Sequence, residues 1–272
     1  MAKSKKYFFL LLLVINSSLV FSQVSICSWN LMNFGKSKSD TELNFIATTL
    51  NNYDVIAIQE VVAGNGGVQA VARLVAILQN KGFNWEYTIS DPTTSDNPSS
   101  IERYAFVWKT SKLKKIGASW LDSNYAVEID REPYMSTFEY NEKQFTIATF
   151  HAVPTKKKPE EEIKYFKSYP ALYPKLNLIF MGDFNCPQSN EVFNSLKKIG
   201  YKNSLENQKT SLHMKCKNDD CLASEYDNMF FNPIKMNKTK SGIIPFYQSF
   251  TSLKEARNIS DHVPIWGSFI LN

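Results

Sequence analysis

The residues whose types could do chemistry stand where apolar runs of the chain stop. The apolar stretch 176–181 ends at Gly182, and Asp183 and Asn185 follow it two residues apart. In an extended chain, residues i and i+2 share a face, so these two side chains point the same way. A carboxylate in that place is costly unless a positive group meets it. A divalent cation or a phosphate-bearing substrate is the expected partner, and an Asp-containing turn is the alternative.

The same pattern recurs at the ends of other predicted strands. The polar residues at those ends are Asn30, Glu60, Glu102, His151, Asp227, Asp261 and His262. Polar groups at the same ends of packed strands form a cleft with convergent functional groups. Two of the three histidines belong to this set, which favours a chemical role, although a single histidine is more often structural. For Glu102 the alternative is a surface ion pair with Arg103.

This set of side chains suits the hydrolysis of phosphate esters. Hard oxygen ligands suit magnesium, manganese or calcium, and the predicted ones are Glu60, Asp183, Asn185 and Asp261. Such a cation offsets the charge that builds on the phosphoryl oxygens. One neutral histidine can take a proton from the attacking water, while the other, charged, protonates the leaving oxygen. Glu102 and Asp227 are the carboxylates predicted to fix the two imidazole tautomers.

Strands and helices alternate in the first half of the sequence, and hairpins dominate the middle. Strands are predicted at 24–31, 54–59, 85–89, from 102 onward, 113–120, 134–140, 145–150, 176–181, 227–231 and 263–270. Helices are predicted at 40–50, from the glycine-rich turn 64–67 through 78, and at 160–169, 191–198 and 253–257. No repeat or linker divides the chain, which predicts one α/β domain with two packed sheets and outer helices.

The first 22 residues predict a secretory signal peptide. A basic start precedes an apolar core at 7–20, and cleavage is expected before Gln23. The apolar core is too short and too interrupted for a membrane anchor, and Ile26 argues against lipid attachment at Cys27. Without this segment's three lysines the formal net charge falls from +5 to +2, which predicts no polyanion binding by itself. Residues 23–272 are therefore expected to be one secreted catalytic domain, extracellular or periplasmic, monomeric and without stable membrane association.

Four cysteines in an exported chain indicate disulfides, with three complete pairings available. Cys216 and Cys221 flank a four-residue polar loop, and a local disulfide between them is predicted. Together with His213 they also form the alternative of a three-ligand zinc site. Cys27 lies in a predicted core strand and is expected to be buried and free.

The motifs identify a resemblance that covers nearly all of the mature chain. The matching stretches begin at Trp29 (WNLMNFG), Tyr53 (YDVIAIQEV), Glu102 (ERYAF), Arg131 (REP), His151 (HAVP), Met181 (MGDFN), Tyr226 (YD) and Ser260 (SDHVP). The sequence resembles the endonuclease/exonuclease/phosphatase superfamily, and within it the pancreatic-type deoxyribonuclease I branch. The MGDFN and SDHVP stretches are shared with phosphatases and sphingomyelinases, whereas ERY, REP and HAVP point to the deoxyribonuclease branch.

The resemblance implies a four-layer αββα sandwich, with two packed mixed β-sheets flanked by helices. It also implies roles, which leave open which histidine is the acid. In these roles Glu60 holds a catalytic Mg²⁺ or Mn²⁺, with Asn30 and Asp261 close by. His151 pairs with Glu102, and His262 pairs with Asp227. Asp183 and Asn185 position the metal and the phosphate, and Arg131 contacts the DNA backbone. A structural Ca²⁺ is a further expectation. In relatives a disulfide joins the regions of Cys186 and of Cys216 or Cys221, which is the rival pairing here.

The sequence therefore predicts a secreted, divalent-metal-dependent endonuclease that hydrolyses DNA phosphodiester bonds with two histidines. A phosphatase or sphingomyelinase-type phosphodiesterase on the same fold is the first alternative, and a non-catalytic binding protein is the second. Two departures bear on DNA: Val62 and Ser100 stand where the relatives have an arginine and a tyrosine that help hold the minor groove. The resemblance leaves the affinity for duplex DNA open.

Overall fold

Two six-stranded β-sheets pack face to face, and helices cover the outer side of each. A computed structural model describes residues 23–218 and 220–272, so the predicted signal peptide at 1–22 lies outside the described residues. The layer order of helices, sheet, sheet and helices confirms the predicted αββα sandwich. Within the described ranges, no helix is long and apolar enough to cross a membrane.

The strands and helices follow one another along most of the described chain. The strands are β1 (Val24–Phe34), β2 (Val55–Val62), β3 (Trp85–Ile89), β4 (Glu102–Lys109), β5 (Lys114–Leu121), β6 (Tyr134–Tyr140), β7 (Lys143–His151), β8 (Leu178–Asp183), β9 (Lys202–Asn203), β10 (Leu212–Lys217), β11 (Asp220–Leu222), β12 (Asp227–Phe231), β13 (Met236–Ile243) and β14 (Ile265–Leu271). The helices are α1 (Asp40–Leu50), α2 (Asn65–Gln79), α3 (Glu160–Ile163), α4 (Tyr169–Leu172), α5 (Asn194–Lys198) and α6 (Leu253–Ile259).

Each sheet has one parallel pair at its centre. The first sheet has the order β13-β14-β1-β2-β4-β3, and only its β1–β2 pair is parallel among the strands described. The second sheet has the order β5-β6-β7-β8-β12-β9, with β7 and β8 parallel. Strands β10 and β11 form a separate hairpin. The carboxyl ends of β1, β2, β7 and β8 meet at one edge of the sandwich, where their side chains contact one another.

Three apolar clusters hold these layers together. The cluster between the sheets is rich in aromatic rings such as Phe106 and Phe138, which stack edge to face. Leu43 of α1 and Leu74 of α2 pack on the first sheet, and Phe166 packs on the second. Burying one such side chain contributes about 1.5–3 kcal/mol. The central strands are buried on both faces and therefore offer a rigid platform to the residues at their ends.

The local sequence explains where several helices begin and end. Helix α1 spans the predicted residues, and the cap is Ser39 rather than Asp40, which the sequence predicts as the cap. The Ser39 hydroxyl accepts from the Glu42 amide, and the Glu42 carboxylate accepts from the Ser39 amide. The single helix predicted at 160–169 is instead α3, a 3₁₀ turn and α4. The break falls after Ile163, and α4 begins only at Tyr169, with Pro170 in its first turn, where a helix needs no N–H donor.

Other elements differ from the sequence predictions as well, among them the short strands β9, β10 and β11, which were not predicted. The helix predicted at 191–198 begins with a 3₁₀ turn at Glu191–Phe193 and continues as α5. Strand β13 was not predicted, because its sequence MNKTKSGI is mostly polar. As the edge of the first sheet it pairs, among the described strands, with β14 alone and exposes its charged side chains, so it needs no apolar alternation.

Candidate active site

The backbone is irregular where the strands deliver the site residues. Met32, Asn33, Glu60 and Asn185 all have positive φ angles, between 34° and 60°. The pairing of β1 with β2 shifts register just after Asn30, and that of β2 with β4 shifts around Glu60. Bulges of this kind re-aim side chains, and a non-glycine residue with positive φ costs on the order of 1–3 kcal/mol. The chain is therefore strained at the strand ends that present polar groups.

Gly182 allows the closest approach of β8 to β7. Its φ is +134°, and a Cβ atom there would lie 2.0 Å from the carbonyl oxygen of Phe150. Any side chain at this position would push the two strands apart. Asp183 and His151 are register partners one residue further on, so the glycine places these two side chains together.

His151 is held by a buried carboxylate. Its Nδ1 lies 2.9 Å from Oε2 of Glu102, and Glu102 also accepts from Arg131 Nη1 at 3.1 Å. Burial by itself lowers the pKa of His151, but the Glu102 carboxylate, helped by Asp183, outweighs burial and raises this pKa above its usual 6.5. Burial raises the pKa of Glu102, but His151 and Arg131 reverse the effect and lower it. The pair therefore favours imidazolium beside carboxylate.

His262 forms a second pair of the same kind. Its Nδ1 lies 2.7 Å from Oδ2 of Asp227. Burial disfavours the charged imidazole, but Asp227 and Asp183 outweigh it and raise the pKa of His262 well above the usual value. The pKa of Asp227 is raised, chiefly by burial. The hydroxyl of Ser260 accepts from the His262 amide at 2.9 Å and donates to the Asn30 carbonyl at 2.5 Å, which ties this segment to β1.

Both imidazoles face one carboxylate oxygen. Oδ2 of Asp183 lies 3.5 Å from Nε2 of His151 and 3.4 Å from Nε2 of His262, and it accepts from Asn30 Nδ2 at 3.1 Å. Burial raises the pKa of Asp183, but the two histidines, with the hydrogen bonds to this carboxylate, lower it overall. The reactive nitrogens of two histidine–carboxylate pairs thus converge on a single anionic point.

The carboxylate of Glu60 lies beside the Asp183 carboxylate, and both accept from the Asn30 side chain. Its Oε1 accepts from Asn30 Nδ2 at 2.9 Å and its Oε2 from the Asn33 amide at 2.8 Å. In the described part of the chain no lysine or arginine pairs with Glu60, and the nearest cationic atom is Nε2 of His151 at 4.0 Å. Asn30 offers its amide nitrogen here, since its Oδ1 accepts from the Met32 amide, and its role as a metal ligand stays a prediction.

The remaining predicted residues occupy the same region. Asp261 lies on the wall of the cleft and pairs with Arg257 Nη2 at 3.3 Å. Asn185 donates to the Ala152 carbonyl at 3.0 Å, and Arg131 donates to the same carbonyl. Arg131 is 6% exposed, so the structure shows it supporting Glu102, and its predicted contact with DNA stays a prediction.

These side chains surround a cleft of about 560 Å³. Eight of the predicted site residues line it, namely Glu60, Glu102, Arg131, His151, Asp183, Asn185, Asp261 and His262. Asn30 and Asp227 are buried directly behind the wall and hydrogen-bond to lining residues. Val62 and Ser100, the two departures from the relatives, also line the cleft. The structure therefore brings the whole predicted set together.

A metal ion has two sets of donors available in this region. Ligand atoms of Asp183, Asp227 and His262 lie within 4.8 Å of one another. Two of these three residues already satisfy each other through the bond from His262 Nδ1 to Asp227. Glu60 and Asp261 offer hard oxygen donors in the same cleft, and Glu60 accepts only neutral donors among the described residues.

Two supporting residues, Lys38 and Thr210, were not found from the sequence. Lys38 is buried, and its ammonium donates to the Asn258 and Ile259 carbonyls at 2.7 Å each. Thr210 Oγ1 accepts from the Asp227 amide at 2.9 Å. Neither residue lies in an apolar run or a motif, so no sequence signal distinguishes it from a surface residue.

The cysteines follow the local prediction. Cys216 and Cys221 form a disulfide across the turn between β10 and β11, which removes them from the alternative zinc site with His213. Cys186 and Cys27 are free and buried. The rival pairing of Cys186 with Cys216 or Cys221 was therefore wrong, and the expectation for Cys27 is confirmed.

The chain is an αββα sandwich protein with two histidine–carboxylate pairs in a cleft at the strand ends. The profile of the endonuclease/exonuclease/phosphatase family matches residues 27–262, and the chain belongs to this family. It is 25% identical to a deoxyribonuclease of Thioalkalivibrio sp. (strain K90mix), over 96% of this chain and 75% of that protein. It is 26% identical to human deoxyribonuclease gamma, over 94% of this chain and 88% of that protein.

Solved structures share the fold at lower sequence identity. A family member from Bacteroides thetaiotaomicron superposes with a TM-score of 0.68 at 15% identity, covering 92% of this chain and 98% of that chain. A mannosyl-6-phosphatase from the same species superposes with a TM-score of 0.67 at 18% identity, covering 91% and 99%. These similarities establish the sandwich fold.

Proposed function

We propose that this protein is a secreted, divalent-metal-dependent endonuclease that hydrolyses phosphodiester bonds in DNA. The observation that carries the proposal is the convergence of Nε2 of His151 and Nε2 of His262 on Asp183 Oδ2, at 3.5 and 3.4 Å. The deoxyribonucleases among the relatives support DNA as the substrate. Secretion rests on the sequence of residues 1–22, and an exported protein that begins at Gln23 would support it.

The cleft fits a divalent cation of the magnesium or manganese type. Glu60 and Asp261 are the residues that would hold it, because both line the cleft and offer hard oxygen atoms. Glu60 fits this role best, since its carboxylate is 24% exposed and its described hydrogen-bond donors are neutral. When bound, such a cation would offset the negative charge that develops on the phosphoryl oxygens.

The protein's own residues move the protons. In each pair Nδ1–H donates to a carboxylate, Glu102 for His151 and Asp227 for His262, so Nε2 is the atom that faces the substrate. A neutral imidazole accepts the proton of the attacking water at Nε2, and the charged one donates its Nε2 proton to the leaving oxygen. The two pairs are nearly equivalent in geometry, so the assignment of acid and base is left to experiment.

The carboxylates and amides around the histidines set position and charge. Asp183 stabilises whichever imidazole is protonated, because its oxygen lies within 3.5 Å of both. Asn185 lies on the cleft wall with its own amide fixed by Asp183 Oδ1 at 2.9 Å, a position from which its side chain can orient a phosphate. Arg131 holds Glu102 and adds positive charge next to the substrate site.

Alanine variants of the two histidines test this function. We expect His151→Ala and His262→Ala each to lower the rate of plasmid nicking about 10²–10⁴-fold, the usual contribution of general acid–base catalysis. His213→Ala is the matched control, because His213 lies on the hairpin at β10, outside the set that lines the cleft. Unchanged hydrolysis by either cleft variant would refute the mechanism, whereas no hydrolysis by the wild-type protein would favour a binding protein that keeps the fold.

A phosphatase or other phosphodiesterase on this scaffold is the second candidate. It is favoured by Val62 and Ser100, which line the cleft. At these two positions the deoxyribonuclease resemblance leads one to expect an arginine and a tyrosine. The mannosyl-6-phosphatase shows that the same fold can serve a phosphate monoester. Release of inorganic phosphate or phosphocholine in the presence of Mg²⁺, without nicking of supercoiled plasmid, would select this candidate.

A further inference from the structure

A second groove lies next to the cleft, between the β10–β11 hairpin and helix α6. Its volume is about 640 Å³, in the range of ligand sites. Met214 and Leu253 supply apolar surface to it, and Met214 is 76% exposed. Lys215 and Lys254 line the same groove, one from the hairpin and one from the helix, and both are exposed. The groove thus combines an apolar surface with two cations.

The groove and the cleft share a boundary. Arg257 lines the groove, and its Nη2 lies 3.3 Å from Oδ2 of Asp261, which lines the cleft. Nη1 of the same arginine donates to the Leu212 carbonyl at 2.9 Å, and the Leu212 amide donates to the Asp261 carbonyl at 2.7 Å. These bonds fix the base of the hairpin against the segment that carries His262. Asp261 and Arg257 therefore join the wall of the cleft to the wall of the groove.

The two lysine ammonium groups of the groove, Lys215 and Lys254, are available to bind an anion. Arg257 pairs with Asp261 and Lys209 with Asp220, whereas Lys215 and Lys254 form no ion pair with any residue that the structure describes. Two unpaired ammonium groups beside an apolar surface match the repeating chemistry of a nucleic acid strand, whose phosphates alternate with flat apolar bases. In a duplex these base faces are covered by stacking, so only an unpaired strand presents them.

We propose that this groove is a subsite for a single-stranded segment of the polynucleotide that is cut in the cleft. Lys215 and Lys254 contact successive phosphates, and the Met214 thioether packs on a base ring. The inference rests on the proposed nuclease function and adds to it a preference for substrates with an unpaired flank on the side of Asp261.

The test compares variants on three substrates: a long single-stranded DNA oligonucleotide, its duplex, and bis(p-nitrophenyl) phosphate, which occupies the cleft alone. For the Lys215→Gln/Lys254→Gln double variant we expect kcat/KM on the single strand to fall about ten-fold. The slope of log(kcat/KM) against log salt should also become shallower by about 1.4, because each lost phosphate contact on a single strand removes about 0.7. Hydrolysis of bis(p-nitrophenyl) phosphate should stay unchanged.

A variant of the apolar surface separates stacking from charge. Met214→Gln keeps the length of the side chain and removes the apolar contact, and we expect about a three-fold loss on the single strand with no change on the duplex. The matched charge control is Lys114→Gln/Lys202→Gln. These lysines are exposed on the two edge strands of the second sheet, at the end away from the cleft. Their register partners on the neighbouring strands are Glu139 and Phe231.

The outcomes distinguish the two proposals. If the wild-type protein cleaves DNA but the groove double variant matches the Lys114→Gln/Lys202→Gln control on every substrate, the subsite is refuted and the nuclease function stands. An equal loss on single strand and duplex would also refute the preference for an unpaired flank. If the wild-type protein cleaves neither DNA form, the proposed function itself fails.

Discussion

At the scale of single residues, Asp183 couples the two halves of the site. Its Oδ2 lies at nearly equal distances from both imidazoles, so its charge contributes to raising the pKa of each histidine. Each histidine also hydrogen-bonds to a separate carboxylate, Glu102 for His151 and Asp227 for His262. Removing one of these carboxylates should therefore change the pKa of its own histidine more than the pKa of the other. This arrangement makes the assignment of acid and base measurable.

Amide replacements of the two partner carboxylates should move different limbs of the pH–rate profile. The catalytic base must be neutral, so its pKa sets the acidic limb; the acid must be charged, so its pKa sets the alkaline limb. Glu102→Gln and Asp227→Asn each remove a charge that raises a histidine pKa, and each should shift one limb to lower pH by about one unit or more. The variant that moves the acidic limb identifies the base.

The control for this pair is the solvent-exposed Glu86→Gln, which should leave both limbs in place. A profile in which Glu102→Gln and Asp227→Asn move the same limb, or in which neither limb moves, would contradict the two-histidine mechanism.

A charge introduced at the cleft wall should restore contact with duplex DNA. Val62 is 39% exposed and lines the cleft, so an arginine there would reach a phosphate of bound DNA. We expect Val62→Arg to raise kcat/KM on duplex DNA about ten-fold at low salt, with a steeper salt dependence. Val127→Arg adds the same charge at a position that is 97% exposed and lines a different pocket. Equal effects of the two variants would show a general charge effect only.

At the scale of elements, the site depends on how α6 is joined to the strand ends. The last carbonyls of α6 accept from the buried Lys38 ammonium, and the next residues are Ser260, Asp261 and His262. Lys38 therefore connects the segment before α1 to the segment that carries one histidine. A cation at a helix carboxyl end is favourable, and here it also satisfies carbonyls that would otherwise lack a partner.

Replacement of Lys38 should weaken both stability and catalysis. Lys38→Met keeps the apolar stem and leaves two carbonyls without their donor, so we expect a loss of about 1–3 kcal/mol in the free energy of unfolding by urea. The turnover number should fall as well, because the position of His262 is less well fixed. Lys36→Met, at an exposed position two residues away, serves as the control. Equal stability of the two variants would mean that the buried bonds contribute nothing.

At the scale of the whole molecule, we expect the fold to form without a bound metal ion. The three apolar clusters and the sheet pairings join the layers away from the cleft, and the site carboxylates are held by protein donors. A bound cation should therefore add stability only by mass action on the folded state.

Magnesium should raise the melting temperature of the wild-type protein and do so through Glu60. At ten times its dissociation constant a ligand adds about 1.4 kcal/mol to the stability of the folded state. We expect differential scanning fluorimetry to show this shift for the wild type and for Glu86→Gln, and to show much less for Glu60→Gln. A full shift in Glu60→Gln would place the cation elsewhere, with Asp183, Asp227 and His262 as the other available donors.

The elements that could be predicted are those whose signal is local. Helix α1 and strand β3 span the predicted residues because their periodicity repeats within one element. The same reasoning missed β13, whose polar strand is specified by its pairing with β14 rather than by its own pattern. It also predicted one helix at 160–169, where the structure has α3, a 3₁₀ turn at Phe166–Ser168 and only the first residue of α4, because no glycine or proline within 160–169 marks the break after Ile163.

The sequence by itself determined the family, the αββα layers, the local disulfide and the set of polar residues at strand ends. These features depend on short motifs and on the alternation of apolar residues, and both can be recognised from residues that are close together in the sequence. Only the tertiary structure decided that the Asp183 carboxylate lies close to both imidazoles and that the Lys38 ammonium binds the last carbonyls of α6. It also decided that Arg257 joins the cleft to a second groove. Each of these depends on distances between residues far apart in the chain, which the packing of the two sheets sets.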